Sequence, residues 1–165
     1  EAVNSFGSGP AAAAVTSTPL TSFQAWQFAH FTATQIAAGL GSATADPDAD
    51  GQTNLVEYAF DSDPLAAGSA AWQIGTSGSS ARLAATLPLW TDNDDITVTI
   101  EASADLTTWT PLARSTSGAA MAALVSGVTV TSTGTTPVLV TVTDGDSGAT
   151  TAVPRRFFRV HVAAP

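Results

Sequence analysis

Lysine and cysteine are both missing from this chain, and each absence removes a body of chemistry. Without lysine there is no Schiff base, no phosphate-loop lysine and no lysine general base. Without cysteine there are no disulfides, no thiolate nucleophile and no thiolate metal ligand. Positive charge is scarce as well. Five arginines face 14 Asp and Glu, a net charge of −9 over 165 residues. Nucleic-acid binding needs clustered cations to neutralise phosphates, so that class is set aside. The two histidines, His30 and His161, stand far apart and resemble neither a zinc site nor a fragment of a catalytic triad. No apolar run approaches the ~20 residues that a membrane-spanning helix needs.

What is abundant is small: 32 Ala and 25 Thr, with aromatics at only 7%. Small side chains bury little area each, so the core has to lean on Trp26, Trp72, Trp90, Trp109 and the seven Phe. Low charge with much Thr, Ser and Gly is usual for secreted, β-rich bacterial proteins. The chain opens Glu1-Ala2-Val3-Asn4, without Met. The expectation is a removed targeting segment or a piece of a longer protein, placed outside the cell or on its surface.

Three regions follow one another. Residues 1–19 are rich in Gly, Ala, Ser and Pro and read as a linker or as a segment used in assembly. Residues 20–66 read as helical. Thr21 with Gln24, and Thr32 with Gln35, are capping boxes. Phe23, Trp26, Gln27 and His30 follow the first at helical spacing, and the second opens a short helix that Gly41 is expected to close. A further apolar helix around Leu55, Val56, Tyr58, Ala59 and Phe60 ends near Pro64. Residues 67–165 change to period two. Ile96, Val98 and Ile100 share one strand face, with Thr97, Thr99 and Glu101 on the other; Val138, Val140 and Val142, then Phe158, Val160 and Val162, repeat the pattern. Further strands are predicted near 82–89, 109–115 and 124–131. With no helical pattern between them, six or seven short strands imply a small antiparallel sandwich of Ig or fibronectin III type. The fold class predicted is therefore α+β.

One motif carries chemistry. Asp46-Pro47-Asp48-Ala49-Asp50-Gly51-Gln52-Thr53-Asn54-Leu55-Val56-Glu57 fits D-x-D-x-D-G-x5-E without a gap. Calcium takes six to eight oxygens at about 2.3–2.6 Å, and alternate Asp side chains of a tight loop can converge on one point. Gly51 permits the sharp turn, Gln52 offers its backbone carbonyl, Asn54 can ligate directly or through water, and Glu57 closes the site from the following helix. The predicted ligands of an EF-hand-like Ca²⁺ loop are thus Asp46, Asp48, Asp50, Gln52, Asn54 and Glu57. The alternative is a solvated acidic loop that caps the helix. Asp61 and Asp63 either add a second, weaker site or simply form a helix-ending turn.

These residues also carry a resemblance. The run Phe23-Gln24-Ala25-Trp26-Gln27-Phe28-Ala29-His30-Phe31, the stretch from Asp46 through Glu57-Tyr58-Ala59, and Asp63-Pro64 are together similar to a C-terminal module of large secreted proteins from Verrucomicrobia-type bacteria. Ser103-Ala104-Asp105-Leu106-Thr107-Thr108-Trp109 and the closing Arg156-Phe157-Phe158-Arg159-Val160 resemble elements of that module's β-domain, so the likeness spans roughly residues 20–163. The calcium loop alone is also similar to dockerin and thrombospondin type 3 repeats. A dockerin carries two such loops and this chain one, which leaves cohesin-type docking in doubt. The departures are Ala49 where the module has Gly, and Phe60-Asp61-Ser62 where it has Leu-Gly before the final Asp-Pro. The resemblance implies an appended surface or secretion module and no catalysis.

The remaining candidates read as structure. Asp92, Asp94 and Asp95, like Asp144 and Asp146, fit hairpin turns better than paired catalytic carboxylates. Arg155, Arg156 and Arg159 fit stems lying on a sheet or pairs with nearby acids better than a site for an acidic partner or carboxylate-rich glycan. The expected function is a non-catalytic, calcium-stabilised extracellular module that works with other protein subunits or the rest of a secreted protein. Where residues 1–19 are an assembly segment and not a linker, they are expected to make the chain a subunit of a surface filament or of another assembly. The alternative is a carbohydrate-binding module, for which exposed coplanar Trp side chains would speak.

Overall fold

In a computed structural model the chain is described over residues 18–77, 82–145 and 156–164. Most of the expected assembly segment, residues 1–17, lies outside the described residues, as do Asp146 and Arg155. The fold is α+β and mostly β, with three short helices and two antiparallel sheets among the described residues.

Both capping boxes form. In α1 (Ser22–His30) the Thr21 hydroxyl accepts from the Gln24 amide while the Gln24 side chain accepts from the Thr21 amide, and Thr32 with Gln35 does the same for α2 (Ala33–Ala37). Helix α2 stops sooner than expected. The chain turns through Gly39, whose φ of +85° suits glycine, while Gly41 lies beneath Phe31, where an added Cβ would sit 3.3 Å from the ring. Helix α3 (Asn54–Phe60) ends at Asp61 in the left-handed region, three residues before Pro64.

The strands are β1 (Gln73–Ser77), β2 (Arg82–Leu89), β3 (Thr97–Ser103), β4 (Thr110–Thr116), β5 (Ala122–Ala123), β6 (Thr129–Thr133), β7 (Val138–Thr143) and β8 (Phe157–Ala163). They form two four-stranded antiparallel sheets in the orders β1-β2-β7-β6 and β5-β4-β3-β8. The strand expected near 124–131 is interrupted by a turn at Gly127 (φ +84°), which leaves β5 and β6 as short pieces. Strand β1, with a glycine and only one large apolar residue, had no alternation to announce it.

The sheets share one core. Leu87 and Leu89 of β2 and Val140 and Val142 of β7 pack with Val98, Ile100 and Ala102 of β3 and Phe158 of β8. Burying side chains such as Leu87 and Ile100 stabilises by about 1.5–3 kcal/mol each. A bulge in β4 serves this core: Ile100 pairs with Ala113 and Glu101 with Pro111, so the extra residue, Leu112, is buried together with Ala113. The polar face of β3 is less open than its alternation implies. Thr99 and Glu101 are both buried, Glu101 under the side chain of Arg159.

Helix α3 lies against β8 and β2, and its Tyr58, Ala59 and Phe60 belong to the same core as the sheets. Phe23 and Trp26 of α1 stack on each other and meet Tyr58 edge-on, and Phe60 packs on Trp72. The acidic turn before β3 completes the join. Asp95 accepts from the Phe23 amide and from the Tyr58 hydroxyl, both at 2.7 Å; Asp94 accepts from the Ser22 hydroxyl; and Asn93 donates to the Tyr58 carbonyl. This turn is more than a hairpin bend. It clasps the start of α1 and the middle of α3 to the sheets.

Candidate metal centre

The acidic loop is closed at its neck before any ligand geometry is considered. The Asn54 amide donates to the Ala45 carbonyl at 2.8 Å and the Leu55 amide to the Ala43 carbonyl at 3.0 Å, so the loop's two ends lie side by side. Inside, the Gly51 amide donates to Asp46, the Asp50 amide to Asp48 and the Gln52 amide to Asp50. Gly51 has φ +90°, the conformation its place in the motif demands. Ala49 is also left-handed, with φ +61°. An alanine is tolerated there at a strain of roughly 1–2 kcal/mol.

These bonds bring three of the predicted ligands together. Carboxylate oxygens of Asp46, Asp48 and Asp50 lie within 4.8 Å of one another. Asp46 Oδ1 and Asp48 Oδ2 are buried without a hydrogen-bond partner among the described residues, and so is Oε2 of Glu57, a side chain only 1% exposed. Burial of an unpaired carboxylate is costly, and a hard divalent cation is the counter-charge that an all-oxygen donor set suits. On that ground the residues fit calcium.

Electrostatics agree with the geometry. The Glu57 carboxyl is pushed up from 4.5 to about 7, first by burial and then by the charges of Asp48, Asp50, Asp46 and Asp63. Asp48 is raised, chiefly by burial. Asp50 is lowered because the Gly68 amide, the Gln52 amide and the Gln52 side chain all donate to it. A raised Glu57 has a consequence for stability. The metal-free folded state holds the Glu57 proton more tightly than the unfolded chain does, so this contribution is full below about 4.5 and lost as pH rises through about 7. Calcium-free protein is therefore expected to melt higher near pH 5 than near pH 8, and Glu57→Gln should flatten that difference. A calcium-free melting temperature that does not fall between those two pH values would refute it.

The other predicted residues take more specific places. Gln52 is buried and spends both its amide and its side-chain nitrogen on Asp50, which leaves its carbonyl as the group on offer. Asn54, fully buried, donates to the carbonyls of Leu40 and Ser42, both at 2.7 Å, and its oxygen has no partner among the described residues. It thereby ties the α2–loop connection to α3. Asn54→Ala removes two hydrogen bonds made by a fully buried amide and should cost about 2–4 kcal/mol in denaturant unfolding. A bracing role predicts most of that loss with or without calcium; a loss seen only with calcium would mark Asn54 as a ligand alone. Asp61 and Asp63 do not join the cluster. Asp61 is the left-handed cap of α3 and Asp63 accepts from the Leu65 amide, as a helix-ending turn requires.

Some supports had no local signal. The Gly68 amide reaches back 18 residues to Asp50, and the carbonyls that hold Asn54 come from another loop.

Fold and site together define a mostly β chain of the α+β class with an acidic loop able to hold a cation. No family model, curated protein or solved structure matches the chain.

Proposed function

We propose that the chain is a calcium-stabilised, non-catalytic structural and interaction module that works outside the cell, its sheets arranged as an Ig or fibronectin III-like sandwich. The observation that carries this reading is the set of buried, unpartnered oxygens of Asp46, Asp48 and Glu57 beside Asp50. Bound calcium would be held by these four carboxylates with the Gln52 carbonyl and, directly or through water, Asn54. It supplies charge neutralisation and a crosslink between the loop and α3, and nothing in that role calls for chemistry on a substrate. The test is calorimetric titration of the metal-free protein with calcium. One site per chain is expected, lost in an Asp46→Asn/Asp48→Asn variant; no heat of binding at millimolar calcium would overturn the reading.

The carbohydrate-binding alternative called for exposed coplanar tryptophans. Trp26, Trp72, Trp90 and Trp109 are instead all half-buried: Trp26 and Trp72 pack on the core, and Trp109 lies beneath Arg159. That favours the structural reading. The arginine stems fit it too, since Arg156 pairs with Asp144 and Arg159 with Glu101. For assembly through residues 1–19, the edges able to accept a strand are those of β1, β6, β5 and β8, none of which has a strand on its outer side among the described residues.

A further inference from the structure

The outer face of the β5-β4-β3-β8 sheet concentrates positive charge in a protein that has little. Antiparallel register sets Arg114 of β4 and His161 of β8 on either side of Thr99, and Arg159 of β8 beside Glu101 in the neighbouring row. Three of the seven Arg and His side chains therefore share this face, with Glu101 as the acid among them. Arg114 and His161 are exposed, and neither has a hydrogen bond or ion pair among the described residues. Arg159 is fixed in place: its Nε donates to Glu101 at 2.6 Å, and its guanidinium lies 4.2 Å from the centre of the Trp109 ring. Its two terminal nitrogens keep their hydrogen-bonding capacity, already oriented for a carboxylate.

The complementary surface is on the same protein. Asp61 and Asp63 at the end of α3, and Asp92 and Asp94 in the turn that clasps α1 and α3, are all exposed carboxylates. We infer that the Arg114–His161–Arg159 face docks on the acidic helical end of a second copy of the chain. Two cationic faces would repel each other, so the contact pairs the basic face of one copy with the acidic end of the next. An acidic polysaccharide is less well suited, because the Trp109 ring that would stack on sugar is already covered by Arg159. The inference deepens the structural-module reading by naming the partner and the surface.

Sedimentation velocity of the calcium-loaded full chain tests it. Association is expected at low salt and should weaken at least about tenfold between about 20 and about 500 mM salt, as screening of exposed charges requires. An Arg114→Glu/His161→Glu variant should lose the salt-sensitive part of that association. Mixed with an Asp61→Lys/Asp92→Lys variant, it should associate again, since the swapped charges pair and the intact acidic end of one variant meets the intact basic face of the other. A wild type that stays monomeric at low salt overturns the inference, and so does salt-sensitive association that the reversal leaves intact. Retention on polygalacturonate without self-association overturns it in favour of a glycan. The calcium-dependent melting temperature of each variant is read in parallel. If that remains as in the wild type while association fails to behave as stated, the docking inference falls and the calcium reading stands.

Discussion

Calcium at a hundredfold excess over its dissociation constant should raise the melting temperature by about 5–10 °C. Binding to the folded state alone adds about 2.7 kcal/mol at that excess, and each kcal/mol moves a chain of this size by about 2–4 °C. The unfolded chain has no preformed site, because the loop neck depends on amide–carbonyl bonds between Asn54 and Ala45 and between Leu55 and Ala43. Glu57→Gln and Asp46→Asn should each abolish most of the shift while leaving the calcium-free protein folded. For Glu57→Gln the calcium-free form should be the more stable one at alkaline pH, since a buried carboxylate has been removed. Magnesium should do much less, because it demands near-octahedral geometry and gives up its water reluctantly. A melting curve indifferent to calcium would reduce the loop to an acidic turn.

Asp95→Ala should cost about 2–4 kcal/mol, a fall of about 5–12 °C, through loss of two charge-assisted hydrogen bonds. One of them satisfies an amide at the positive N-terminal end of α1, and the other satisfies a phenol that is 4% exposed. Burial and the Asp95 carboxylate both push the Tyr58 hydroxyl upward, so it stays a neutral donor throughout the working pH range. Asp95→Asn keeps an acceptor and should lose about half as much. Tyr58→Phe should cost less than Asp95→Ala, and a double-mutant cycle between them should show coupling of about 1–2 kcal/mol. Because Tyr58 follows Glu57 in α3, loosening the clasp should also weaken calcium binding. A change in stability of Asp95→Ala within about 0.5 kcal/mol, the range of an ordinary surface substitution, would show that the clasp carries no weight.

Most of the secondary structure was legible because the signals are local. Thr21 and Thr32 with their glutamines three residues on define helix starts, and β2, β3, β4, β7 and β8 follow runs of alternating or β-branched residues. What was illegible depended on partners distant in the chain. Gly41 looks like a helix stop and is a packing position under Phe31; Thr99 and Glu101 look solvated and are buried between β4 and β8, Glu101 paired with Arg159. Asp95 reads as one more turn aspartate until the fold brings Phe23 and Tyr58 to it from 72 and 37 residues away.

By itself the sequence determined the candidate donor set: oxygen-bearing side chains at alternate positions, a glycine where the loop must bend, and a glutamate one turn into a helix. Those requirements are short-range and depend on residue type and spacing, which a sequence displays directly. Tertiary structure alone decided that the loop is braced from Gly68, Leu40 and Ser42, that the acidic turn holds helix to sheet, and that arginines and a histidine gather on one sheet face. Strand order and register set those juxtapositions, and they arise from burial of a shared core, a property of the whole chain that no local run of residues encodes.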